Sequence, residues 1–142
     1  MSLQWLTCSL LILATPALGD PCKAIPDQGP APAWLQRGAE FSGAVVYVGD
    51  GDSLCVDARG IGPQGWVEVR LADFYAPELQ EEGGAEAKAA LERIARGRRV
   101  ECVASHQSYD RIVAACMLRG RAIGVMLEGL GVMEGGRGGR PQ

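Results

Sequence analysis

The sequence has few of the residues that most often build metal centres and nucleic-acid surfaces. It contains one histidine and no pair of cysteines separated by two residues, so a zinc centre made from such ligands is not expected. Aromatic residues make up 6% of the chain, and surfaces that stack single-stranded bases are therefore sparse. The formal net charge is -3, which gives no overall attraction for a polyanion. Binding of nucleic acid would have to come from a local basic cluster.

Long apolar runs are also scarce, and the one candidate lies at the amino terminus. It extends from Leu3 to Leu13 and is followed by Ala17-Leu18-Gly19, a small-x-small pattern that signal peptidase recognises. The run is too short to span a membrane comfortably. We therefore expect a signal peptide over residues 1–19 and a secreted or periplasmic mature chain that starts at Asp20 and has no membrane contact. A buried N-terminal helix is the alternative.

The cysteine count supports export. Cys8 lies in the expected leader, and four cysteines remain, an even number that indicates a disulfide framework in a small exported domain. Four cysteines can form two disulfides in three ways. Cys102 and Cys116 lie on consecutive predicted strands, and Cys55 is expected to face outward, where the segment that carries Cys22 could reach it. We predict the pairs Cys102–Cys116 and Cys22–Cys55.

Apolar periodicity predicts a β-rich α+β domain. Residues 20–39 are rich in Pro, Ala and Gly and should form an extended N-terminal strap, residues 40–132 one domain, and residues 133–142 a disordered tail. The predicted strands are Phe41–Val48, Ser53–Asp57, Trp66–Ala72, Val100–Ser105 and Arg111–Leu118, and the predicted helices are Ala85–Arg96 and Ala122–Leu130. This order favours a five-stranded OB-type barrel with one helix between strands three and four and a short C-terminal helix. An open sheet with one face covered by helices is the alternative.

Four short clusters contain residues that suit phosphodiester chemistry. They are Asp50-Gly51-Asp52 in the first hairpin, Arg70 near the end of the third strand, Pro77-Glu78 in the following loop, and Tyr109-Asp110-Arg111 where the fifth strand begins. Taken singly, each has a structural explanation, and Asp-Gly at the hairpin suits a type I′ turn. Taken together, they supply acids for a cation and for the attacking water, and two arginines for the phosphate. In-line attack on a phosphodiester requires such a set.

These motifs resemble those of the thermonuclease family, the staphylococcal-nuclease-like domain. The similar stretches are Gly49-Asp50-Gly51-Asp52-Ser53 (family D-G-D-T/S), Val69-Arg70-Leu71 running to Ala76-Pro77-Glu78 (family R-L-x-x-x-D-x-P-E), and Tyr109-Asp110-Arg111 (family Y-G-R). The resemblance covers about Phe41 to Val132 and includes the helix between strands three and four. It implies an OB-type barrel, a calcium cofactor, and cleavage of DNA and RNA.

The resemblance also implies roles for individual residues. Arg70 and Arg111 would hold the scissile phosphate and its developing charge, and Glu78 would orient or deprotonate the attacking water. Tyr109 is a candidate substrate contact. Asp110 stands where the family has Gly, and it puts a negative charge beside Arg111.

The implied calcium site departs from the family pattern at one position. Asp52 would be a direct ligand, the backbone carbonyl of Ala76 a further one, and Asp50 a ligand through water. Where the family has its second calcium-binding Asp, two residues before Pro, this chain has Tyr75, and a neutral phenol is a poor calcium ligand. Compensation could come from Asp50 or Asp73.

Two functions follow from this pattern, and the sequence leaves both open. The first is an exported, monomeric, calcium-dependent nuclease, a hydrolase that cleaves single-stranded or unwound DNA or RNA with activity weakened by Tyr75. The second is a non-catalytic OB-type barrel that binds nucleic acid or an envelope partner, which Tyr75 and the net charge of -3 favour. A structural envelope protein without a ligand is a third alternative.

Overall fold

The computed structural model of the protein describes residues 19–26 and 29–135. Apart from Gly19, the expected leader lies outside the described residues, and so do residues 136–142 of the tail. The strands are β1 (Glu40–Val48), β2 (Ser53–Asp57), β3 (Trp66–Leu71), β4 (Arg99–Ser108), β5 (Arg111–Leu118) and β6 (Arg121–Ala122). The helices are α1 (Gly84–Ala95) and α2 (Ile123–Gly129), with short 3-10 turns at Ala33–Leu35 and Pro63–Gly65.

Five of these strands close into a barrel. The sheet order is β3-β2-β1-β4-β5-β6, with antiparallel neighbours. A parallel pairing of β3 with β5, which joins Val69 to Ile112 and Leu71 to Ala114, completes the ring. β6 adds a short strand beside β5. The predicted OB-type barrel with α1 between β3 and β4 is confirmed, and the open sheet is wrong.

Apolar side chains on alternating positions of the strands fill the barrel interior, and the apolar face of α1 packs over one end of it. Val67, Val69 and Leu71 of β3 are buried in the core, whereas Glu68 and Arg70 between them lie on the outer face and are half-buried. Each Val or Leu that is fully buried contributes roughly 1.5–3 kcal/mol to folding. The outer face of β3 is therefore where polar chemistry can be placed.

Element boundaries agree with the sequence predictions to within one residue, except at β4. That strand was predicted to end at Ser105, with a turn over 106–110, but it extends to Ser108, which pairs with Arg111. The register shifts between Ala104 and His106, so the alternation that marks the strand stops before the pairing does. The two-residue β6 was not predicted.

Both predicted disulfides are present. Cys102 and Cys116 are direct partners on β4 and β5, with Cα atoms 4.1 Å apart. Cys22 and Cys55 join the N-terminal segment to β2, with Cα atoms 5.8 Å apart. Disulfides form and persist in oxidising compartments, which fits an exported protein. Within residues 19–26 and 29–135, no helix combines the length and the apolarity that crossing a lipid bilayer requires.

The N-terminal segment lies on the outer face of β2 and β3. Its backbone is fixed beside the Cys22–Cys55 disulfide by two hydrogen bonds. Lys23 N–H donates to the carbonyl of Pro63 at 2.9 Å, and Ala24 N–H donates to the carbonyl of Trp66 at 3.1 Å. The chain therefore covers part of the face on which Glu68 lies.

Candidate functional site

The connection between β1 and β2 is built by Asp50. The Asp52 N–H donates to Oδ1 of Asp50 at 3.0 Å, which is the hydrogen bond of an Asx turn. Among the described residues, neither Asp50 nor Gly51 has a positive φ, so the type I′ turn that the sequence suggested is wrong. The hairpin tip is instead shaped by a carboxylate that also lies next to Asp52.

Gly51 sets the hairpin tip directly against the loop after β3 and against α1. A Cβ at this position would lie 2.5 Å from the Cβ atoms of Ala76 and Ala87, so any larger residue would push the tip away. The close approach brings Asp52 to the loop, where its Oδ2 accepts a hydrogen bond from the Ala76 N–H at 2.9 Å. Asp52 is only 6% exposed. Asp52 and Ala76, both expected to be metal ligands, are thus neighbours, and the Ala76 N–H rather than its carbonyl makes the contact.

Asp52 is a buried acid whose negative charge is only partly balanced by nearby positive groups. Burial, together with the charge and the hydrogen bond of Asp50, raises the pKa of Asp52 from 3.8 to about 7. The Ala76 N–H and the guanidinium of Arg70 act in the opposite direction. Two carboxyls this close repel each other when both are ionised. A cation bound between them would relieve that repulsion.

Arg70 is positioned by three strands and one ring. It pairs with Ser53 on β2 and with Val113 on β5, and its guanidinium lies 5.5 Å from the centroid of the Tyr75 ring. A cation over an aromatic face at a partly exposed site is stabilised by about 0.5–1 kcal/mol. The Tyr75 ring therefore helps to hold the arginine in place.

Asp73 contacts the beginning of α2. Its Oδ2 accepts a hydrogen bond from the Gly124 N–H at 3.0 Å, at the beginning of α2. A Cβ on Gly124 would lie 2.5 Å from the same oxygen, so the contact is close. Asp73 is thus engaged by the N-terminal end of α2.

Arg111 begins β5 next to Glu68 of β3, because the parallel register pairs Val69 with Ile112. Its Nε is buried and has no hydrogen-bond partner among the described residues. Burial, together with the Asp20 and Asp110 carboxyls, raises the pKa of Glu68 from 4.5 to about 8, while Arg111 opposes the shift. The sequence analysis missed Glu68, although the alternation of β3 had placed it on the same face as Arg70.

Glu78 and Tyr109 lie in two different connections, the loop between β3 and α1 and the β4–β5 turn. Glu78 follows Ala76 by two residues, and its N–H donates to Oε2 of Glu81 at 3.1 Å, while its carbonyl accepts from the Glu81 N–H at 2.8 Å. Tyr109 is 85% exposed and occupies the β4–β5 turn with a φ of 57°. Among the described residues, hydrogen bonds and close charges join Asp50, Asp52, Ala76 and Arg70, whereas Glu78 and Tyr109 are not joined to that group and Arg111 acts on Glu68 instead.

One group of three potential metal-ligating side chains occurs in the described part of the chain, and it lies elsewhere. Asp20, Cys22 and Cys55 have ligand atoms within 4.8 Å of one another. Both sulfurs belong to a disulfide, so they are not available as thiolates. Asp50 and Asp52 therefore form a pair rather than a ready-made cluster.

A scan against protein-family models found no match for this chain, and a search of curated proteins found none. What the fold and the site define is a closed OB-type barrel with a buried acid pair and a stacked arginine at one rim. A second arginine lies on the same outer face, diagonally across the β3–β5 pairing.

Proposed function

We propose that the protein is an exported, calcium-type nuclease, similar to the thermonuclease family, that hydrolyses phosphodiester bonds of DNA or RNA. The observation that carries the proposal is the contact of buried Asp52 with Asp50 and with the Ala76 peptide, within the electrostatic range of Arg70. Its substrate is single-stranded or unwound nucleic acid. Because Tyr75 replaces a carboxylate, the metal site is weakened and the enzyme is slow.

The donor set suits a hard cation. Asp52 and Asp50 offer carboxylate oxygens, and Ala76 can offer its carbonyl, which are the oxygen ligands that calcium prefers. Calcium takes about six to eight oxygen ligands, so water would complete the shell. Bound there, calcium supplies positive charge to a phosphate oxygen. With so few charged ligands, we expect a dissociation constant on the order of 1 mM, as in weak extracellular modules.

The two arginines supply the phosphate clamp. Arg70 and Arg111 are diagonal neighbours across β3 and β5, so their Cα atoms are about 8 Å apart on the strand spacing and rise of a sheet. Two side chains of this length can converge on one phosphate and donate charge-assisted hydrogen bonds. The unpartnered Nε of Arg111 is one such donor. Fixed donors stabilise the charge that develops in the transition state.

Glu78 supplies the remaining function. It follows Ala76 by two residues in the same loop, and a carboxylate there can orient or deprotonate the attacking water. Tyr109, exposed beside the start of β5, would contact the substrate.

A cleavage assay tests the proposal. The mature protein is incubated with labelled single-stranded DNA in 1–10 mM calcium (on the order of the expected constant) and again with excess chelator. Arg70→Gln should lower the rate by about 100-fold or more, as expected for loss of a transition-state donor. Arg59→Gln is the matched control, since Arg59 stacks on Trp34 at 5.1 Å and lies beyond the other end of β3. Absence of chelator-sensitive cleavage by the parent would refute the proposal.

The Arg70–Tyr75 stack favours a second candidate, a barrel that binds nucleic acid, or an acidic envelope partner, without cutting it. A guanidinium held by a ring needs no metal to bind a phosphate. This candidate requires binding that weakens with salt, by a slope of about 0.7 per neutralised phosphate for a single strand, together with an intact strand after incubation.

A further inference from the structure

The starting observation is an imbalance of charge beneath the N-terminal segment. The carboxyls of Asp20 and Asp110 both act on the Glu68 carboxyl there, and among the described residues the guanidinium of Arg111 is the cation that opposes them. Asp20 and Glu68 are close enough for their side chains to share a hydrogen bond, which requires a proton on one of them. Half-buried acids at such distances are costly unless a cation balances them.

The position of Asp20 is fixed by covalent and hydrogen bonds. Its Oδ1 accepts a hydrogen bond from the Cys22 N–H at 2.8 Å, and Cys22 is bonded to Cys55. Cys55 is the direct strand partner of Glu68. The disulfide thus places the first residue of the expected mature chain beside Glu68.

Gly19, by contrast, is exposed, and a Cβ at this position would meet no heavy atom within 4 Å. The bond after Gly19 is also the one that the Ala17-Leu18-Gly19 pattern marks for cleavage. Within an aspartate, the backbone nitrogen and the carboxyl group are about 4 Å apart, as bond lengths dictate. A free amine on Asp20 would therefore lie within about 7 Å of the Glu68 carboxyl.

We propose that cleavage after Gly19 creates a structural cation, the α-ammonium group of Asp20, which pairs with Glu68 and so leaves Arg111 available to the barrel mouth. The amine supplies the positive charge that the three carboxyls lack. Asp20 acts as a positioning residue, because it reaches the candidate site only through Glu68 and Arg111. The role of Arg111 rests on the proposed function, whereas the pairing itself does not.

The pairing is tested on the full mature protein, exported with its own leader and identified by intact mass. The comparison form starts at Gly19, which moves the amine by about 3.8 Å and changes no side chain. In the parent, we expect this extension to increase the unfolding equilibrium constant about fivefold, the upper value for an exposed ion pair. In Glu68→Gln, the extension should have no effect, and in Glu101→Gln, a carboxylate variant on the exposed face of β4, the fivefold effect should remain.

A second measurement needs no variant. The pKa of the mature α-amine, followed by NMR, should lie about one unit or more above the ordinary 7.7–8.0 because an ionised carboxylate faces it. An ordinary amine pKa, an equal stability of the Gly19 and Asp20 forms, or a mature chain that begins elsewhere would each overturn the pairing. None of these readouts uses nuclease activity. A protein that fails to cut DNA but shows the expected stability differences and amine pKa therefore refutes only the proposed function.

Discussion

Replacing Tyr75 with aspartate should convert a weak calcium site into a stronger one. Tyr75→Asp removes the ring on which Arg70 stacks, at a cost of about 0.5–1 kcal/mol, and adds a carboxylate next to the peptide that Asp52 binds. Without calcium, the variant should be less stable than the parent, because a third acid joins a pair that already repels. With calcium, the variant should recover more stability than the parent does.

The size of this difference in calcium response follows from binding linkage. For a parent constant of about 1 mM, 10 mM calcium stabilises the folded chain by about 1.4 kcal/mol, from RT ln(1 + [L]/Kd). A tenfold tighter site raises that figure to about 2.7 kcal/mol. The calcium response of Tyr75→Asp should therefore exceed that of the parent by about 1.3 kcal/mol.

Urea unfolding in calcium, in magnesium and in chelator measures these differences. Tyr75→Asn is the matched control, since it loses the same ring and the same stack and differs from the aspartate variant only in charge. Magnesium separates a specific site from general screening, because it demands a more regular ligand geometry than calcium. An equal calcium response of the two variants would refute the idea that position 75 faces the acid pair.

Three further results are expected. In calcium-free buffer, the parent should lose stability as pH rises from about 4 to about 8, because the folded chain holds protons on two acids, one buried and one half-buried: the pKa of Asp52 is raised from 3.8 to about 7 by burial and Asp50, and that of Glu68 from 4.5 to about 8 by burial and Asp20. Asp52→Asn should reduce this loss, and Asp52→Asn combined with Glu68→Gln should flatten the urea midpoint across that window. Gly51→Ala should destabilise the chain by roughly 1–3 kcal/mol in a thermal melt, as overpacking does. If it costs no more than Gly129→Ala, where a new Cβ would meet no atom within 4 Å, the close approach would be wrong. Replacing Cys102 and Cys116 together by Ala should cost about 3 kcal/mol in urea, as loop closure over 14 residues predicts, and an unchanged midpoint would contradict it.

The sequence predicted those parts of the fold that depend on local periodicity. The alternation of Val67, Val69 and Leu71 predicted β3, and the expected outward position of Cys55 predicted its disulfide with Cys22. The end of β4 was missed, because a bulge after Ala104 interrupts the alternation while backbone pairing continues.

The candidate site was only partly accessible to sequence analysis. Motif order indicated Asp52 and Arg70, which strand register brings close together. The function of Tyr75 as a platform was not predicted, since a missing ligand in a motif says nothing about what the new side chain contacts. Glu68 was missed because its environment is set by Asp20, and that proximity depends on a long-range disulfide rather than on a local pattern.

The seam between β3 and β5 has a consequence for the cell that makes this protein. Arg70 and Arg111 are separated by the loop, α1 and all of β4, so they meet only when the last parallel pairing forms. Closing so long a stretch of chain is entropically costly and tends to occur late in folding. If the precursor crosses a membrane in an extended state, as the proposed export requires, it would carry each arginine separately, and the proposed phosphate clamp would form only on the far side.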